Sequence, residues 1–165
     1  MRHWKVAIAV VVIALASLTI AFVPAGGAKK PASGAAAWGV HATLTGKNEV
    51  DPATHKKRAG DPDGYGVFAA TVVGNQLCFG ITVGGIADPT AAHIHAAKRN
   101  KAGPVVIPLT PVPATGNPGS SAGCTTADAD LLAAIHKHPG RYYANVHNAD
   151  YPNGAVRGQL RKAKK

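Results

Sequence analysis

Only 5% of the 165 residues are aromatic. A groove that stacks bases on aromatics set among basic side chains is therefore not indicated, and no specific nucleic-acid partner is expected. Acidic residues number 8. They fall in loops or at the start of a helical stretch, so no paired acid/base site is suggested. There is no phosphate-cradling loop and no dinucleotide fingerprint. Ser120 and Ser121 stand in a Gly/Pro-rich stretch without a nucleophile elbow. Cysteine is limited to Cys78 and Cys124, and none follows the N-terminal apolar run, which excludes a lipoprotein-type anchor. Helical crossovers between the strand-like segments are missing, which argues against a parallel sheet.

What is present begins with a leader. Arg2, His3 and Lys5 precede an almost continuous apolar run from Val6 to Val23, and Ala25, Gly26, Gly27 and Ala28 come directly after it. This is the pattern of a signal peptide over residues 1–28, cleaved after Ala25 or Ala28. At about 18 residues the run is also long enough to remain as an anchor. Either reading places the remainder of the chain outside the membrane, in a secreted or extracytoplasmic setting. Residues 29–37 read as a flexible linker, 38–160 as one domain and 161–165 as a frayed basic tail. In an exported chain, two cysteines read as one disulfide, Cys78–Cys124.

The formal charge is +10, and loss of Arg2 and Lys5 with a leader lowers it to +8. Lys56, Lys57 and Arg58 sit in one loop and Lys98, Arg99 and Lys101 in another. They predict a solvated basic surface that binds polyanions weakly, in a salt-sensitive way and without sequence preference.

Residues 38–160 are rich in Gly, Pro, Ala, Val and Thr, and apolar residues alternate with polar ones. Strands are predicted over 38–45, 65–73, 77–83, 92–96, 103–109, 142–147 and 155–160. Gly74-Asn75 connects two of them as a hairpin. Residues 108–123 read as loop, and Thr126 is the expected N-cap of a short helix carrying Leu131, Leu132 and Ile135 on one face. The expected architecture is mainly β, an antiparallel β-sandwich with one short α-helix.

Ala92-His93-Ile94-His95-Ala96 carries the most informative pattern. Residues two apart in a strand share a face, so His93 and His95 project together, roughly 7 Å apart, opposite Ile94. By the same parity His147 shares a face with Asn145, and Arg157 falls on the strand expected to pair with theirs. Two readings fit. Three converging neutral imidazoles can hold copper or zinc. Alternatively, His93 and His95 accept from loop amides and Asn145 bridges them, as a structural network. Arg157 would disfavour protonated histidines nearby in either case. His136 and His138 lie at the helix end, and His41 and His55 face solvent or lie in loops.

Several segments together resemble the CHRD domain, a module named after chordin and common in exported bacterial proteins. They are LTGKNEV (44–50), LCFGITVGGI (77–86), AAHIHAA (91–97), GPVVIPL (103–109), GC (123–124), PGRYYANVH (139–147) and PNGAVRGQL (152–160). The resemblance implies an immunoglobulin-like or superoxide-dismutase-like Greek-key sandwich and no established enzymatic activity. In chordin such domains accompany binding of secreted growth factors. The basic loops depart from the family pattern. A His-x-His strand with a distant third histidine also resembles part of the copper site of copper–zinc superoxide dismutases. The dense His and Asp loop of their zinc site is missing, which argues against dismutase activity. The chain is thus expected to be either a non-catalytic extracellular or envelope binding module, or a copper- or zinc-binding domain that is conceivably redox-active.

Overall fold

The computed structural model describes residues 36–164, so the leader and most of the linker lie outside the described residues. Among the described residues, no helix is long and apolar enough to cross a membrane.

Among the described residues, nine strands and one α-helix follow one another in chain order. They are β1 (Trp38–Thr45), β2 (Tyr65–Val73), β3 (Gln76–Gly84), β4 (Pro89–Ala96), β5 (Val105–Pro108), β6 (Gly119–Thr126), α1 (Ala129–Lys137), β7 (Tyr142–Asn148), β8 (Val156–Gln159) and β9 (Arg161–Lys162). All pairings are antiparallel, in the order β5-β4-β7-β8-β1-β2-β3-β6, with β9 added against β1. The sheet curls into two layers, so the fold is the expected mainly-β sandwich. Alternation explains the layering. On β2, Gly66, Phe68, Ala70 and Val72 are buried while Tyr65, Val67, Ala69, Thr71 and Val73 are exposed. Ile94, Ile107, Ala144, Val146 and Val156 of one layer join Leu44, Phe68, Val72, Leu77 and Ile81 of the other in one core.

Three expectations about local structure are corrected. Residues 119–123, read as loop, belong to β6, which pairs with β3 along its whole length. Its Gly, Ser and Ala residues carry no branched apolar signal, and backbone pairing decides the conformation. The helix is capped by Asp128 rather than Thr126, the Asp128 carboxylate accepting from the Leu131 N–H at 2.9 Å. The tail is not frayed at its start: Arg161 and Lys162 pair with His41 and Val40, and the Ala163 N–H donates to the Gly39 carbonyl. The disulfide joins Cys78 and Cys124, which stand directly opposite each other on β3 and β6.

Candidate metal centre

The inner face of the β4-β7-β8 layer is apolar, and its outer face is polar yet largely buried. Register builds that outer face. His93, Asn145 and Arg157 stand in one row across the three strands, and His95, Tyr143 and Gln159 in the next. His147 lies beyond Asn145 on β7, opposite Ala91. A register irregularity between Ile94 and His95 in the β4–β5 pairing locally re-aims this part of the strand.

Two loops roof these rows. The 97–104 loop supplies backbone carbonyls: Gln159 Nε2 donates to the Ala97 oxygen at 2.7 Å and Arg157 Nη2 to that of Lys98 at 3.2 Å. The 46–64 loop brings Glu49 in. Under this cover Asn145 and Arg157 are each 1% exposed, Glu49 2% and His95 8%. The Arg157 guanidinium sits 3.4 Å from the centroid of the Tyr143 ring, and the His95 ring stacks on the same tyrosine at 4.8 Å.

The histidines converge as expected. Ring centroids are 5.1 Å apart for His93 and His147, 5.5 Å for His93 and His95, and 6.1 Å for His95 and His147. One nitrogen from each lies within 4.8 Å of the other two. With metal–nitrogen bonds of about 2.0–2.1 Å and tetrahedral angles, imidazole centroids round one ion stand about 5 Å apart. The cluster is close to that spacing.

Their hydrogen bonds run opposite to the expectation that His93 and His95 accept from loop amides. The His95 Nδ1–H donates to the Gly103 carbonyl at 2.8 Å, and the His147 Nδ1–H to the Pro152 carbonyl at 2.9 Å. The loops present carbonyls here, so each ring must spend its proton on Nδ1 and leave the Nε2 lone pair turned inward. Carbonyl anchoring of this kind orients metal-bound histidines and fixes their tautomer. His93 Nδ1 meets His147 Nε2 at 3.2 Å. His95 Nε2 is buried with no hydrogen-bond partner among the described residues.

The neutral form of all three rings is favoured. Burial, and then the nearby His147 and His95, push His93 down to about 4. Burial lowers His95 and His147 as well, each partly opposed by its carbonyl anchor. Of the three, the Arg157 charge lowers only His95, and as a lesser cause. Glu49 is pushed up to about 7 by burial, against the pull of Arg157, the Val50 amide and the Asn145 amide. Nothing in the sequence marks Glu49 or Tyr143 for a role: Glu49 is a loop carboxylate, and nothing short of the fold buries it beside Asn145.

An open cleft of about 240 Å³ borders His95 and His147, lined among others by Val50, Pro52, Ala102 and Pro152. Lys56, Lys57, Arg58, Lys98, Arg99 and Lys101 are all exposed on the two roofing loops. His136 stacks on Trp38 at 4.6 Å, away from the cluster, and His41 and His55 are exposed.

The family model of the CHRD domain matches residues 40–160, a span that includes every residue of the cluster. No curated protein and no solved structure matches the chain.

Proposed function

The chain belongs to the CHRD-domain family, and from that premise we propose that it is an exported, non-catalytic binding module whose ligand is a copper or zinc ion held by His93, His95 and His147. One observation carries the reading: two histidines donate Nδ1–H to backbone carbonyls and turn unprotonated Nε2 atoms toward a third. A purely structural network has no need to leave a buried imidazole nitrogen unpaired, and such a nitrogen is costly. Neutral imidazole is a good donor to both ions, and the depressed basicity of the rings spares an incoming ion competition from protons. Export is supported by the leader-like residues 1–28 and by the disulfide. An envelope or extracellular partner would meet the exposed basic loops that flank the cleft.

The test is a titration of chelator-treated protein with Cu²⁺ and with Zn²⁺, read by competition with a chromophoric chelator. One equivalent should bind, and His95→Ala should abolish binding or weaken it at least 100-fold, the upper end for loss of a supporting group. Wild-type protein that takes up neither ion at micromolar concentration would show that the cluster is only a structural network.

A further inference from the structure

We propose that Asn145 is the fourth donor to the ion, ligating through Oδ1, and that Glu49 is the positioning residue that turns its amide inward. The inference rests on the three-histidine reading above and goes further by closing the coordination sphere.

Asn145 is 1% exposed and stands between His93 and Arg157 in the central row. Its Oδ1 lies 3.2 Å from His147 Nε2, and its amide also stands beside His95. On its other side the Glu49 carboxyl lies close enough for the Asn145 side chain to favour its ionised form. An ionised Glu49 favours the amide orientation with Nδ2 toward it and Oδ1 inward.

The protons can then be counted. His147 has its proton on Nδ1, held by the Pro152 carbonyl, so its Nε2 is an acceptor. His95 Nε2 is an acceptor for the same reason. Asn145 Oδ1 is an acceptor by nature. Three acceptor atoms therefore face one another in a half-buried space, and among the described residues His93 Nδ1–H is the donor within hydrogen-bond distance of them. Lone pairs crowded together without protons repel, and a cation is what makes such an arrangement favourable. An ion entering here replaces the proton between His93 and His147, and His93 keeps a second nitrogen on which to carry it. The 3.2 Å separations are near those of neighbouring donors round one tetrahedral ion, about 3.3 Å for bonds of about 2.0–2.1 Å.

Three imidazoles and one carboxamide oxygen make a four-donor set supplied wholly by the protein. Sites that activate water keep one position open, whereas closed four-donor sites hold the ion for its own sake. Asn145 ligation therefore makes this a binding centre. One rival arrangement satisfies the same atoms. If the amide turned end for end, Nδ2 would donate to the histidines, and Glu49 would need a proton to donate to Oδ1. That arrangement excludes ligation, so experiment separates the two.

The experiment is Zn²⁺ affinity of purified wild-type protein and of Asn145→Ala and Asn145→Asp, by chelator competition, with thermal unfolding of the metal-free proteins alongside. Asn145→Ala should bind about 10–100-fold more weakly. Asn145→Asp, which replaces a neutral oxygen donor with an anionic one, should restore binding to the wild-type level or tighter. A structural role predicts the reverse order, because Asp sets a second carboxylate against Glu49. Asn145→Ala binding as tightly as wild type, or Asn145→Asp binding more weakly than Asn145→Ala, overturns the assignment and leaves the three-histidine site standing. Wild-type protein that binds no Zn²⁺ and no Cu²⁺ overturns the site itself. Should Asn145→Ala not fold, the Asn145 ¹³Cγ resonance of wild-type protein decides. It moves on Zn²⁺ loading if Oδ1 ligates, and a resonance that stays in place overturns the proposal.

Discussion

Burial makes the Glu49 carboxyl easier to protonate than an exposed one, and this couples folding to pH. Its value rises from 4.5 to about 7, so the folded protein binds this proton more tightly than the unfolded chain does. The stability it contributes is complete below about pH 4.5 and is lost as pH rises through about 7. The histidines act in the other sense. His93 falls from 6.5 to about 4, and His95 and His147 are lowered too. Their contribution is complete above about pH 6.5 and is lost as pH falls below it, for His93 toward 4. Between these limits the two effects oppose each other. Glu49→Gln removes only the first. In metal-free protein the variant should therefore gain on wild type as pH rises from 5 to 8, by on the order of 2–3 kcal/mol. Urea unfolding at several pH values in chelator measures the gap, and a gap independent of pH would show that Glu49 does not titrate in this window.

At the scale of elements, the edge strand β6 is the least self-sufficient part of the sheet. Its sequence Gly-Ser-Ser-Ala-Gly-Cys-Thr-Thr offers little to bury, and the Cys78–Cys124 bridge ties it to β3. Closing a loop of about 47 residues stabilises by roughly 4 kcal/mol in the chain-entropy estimate. Thiol labelling of the denatured, unreduced protein should find no free cysteine, and two labelled thiols would contradict the bridge. The same composition explains which elements are legible in the sequence. Strands β1 to β4 and β7 announce themselves by branched or aromatic residues at alternate positions. Parity alone puts His93 and His95 on one face and His147 on the face of Asn145, and the Asn153-Gly154 turn brings Arg157 beside Asn145. The convergence of all three histidines also needs β4 to pair with β7, which no local signal reports. β6 and β9 are held by backbone pairing to neighbours far off in sequence, and no local signal reports that. Glu49 is illegible for a related reason: its burial depends on the fold setting it beside Asn145 and Gly154, which at φ +130° leaves room for the carboxylate. The direction of the imidazole hydrogen bonds is equally hidden, since it depends on which backbone atoms the two roofing loops present.

Over the whole molecule, charge and topology are the remaining levers. A net charge of +10 with Lys56, Lys57, Arg58, Lys98, Arg99 and Lys101 all exposed should retain the protein on an anionic resin at low ionic strength. Release should come as salt rises past 0.1 M, where the screening length is about 10 Å. Retention that high salt leaves unchanged would point to a specific ligand on the resin instead. The pairing of β9 with β1 has a different kind of consequence. Gly39 and Ala163 share a hydrogen bond, so the chain enters and leaves the domain at one spot. A fold with such a seam can be spliced into a surface loop of a host protein. It can equally be relinked across the seam and reopened at Gly74-Asn75 as a circular permutant, with the face carrying His93, His95 and His147 and its two roofing loops on unbroken chain.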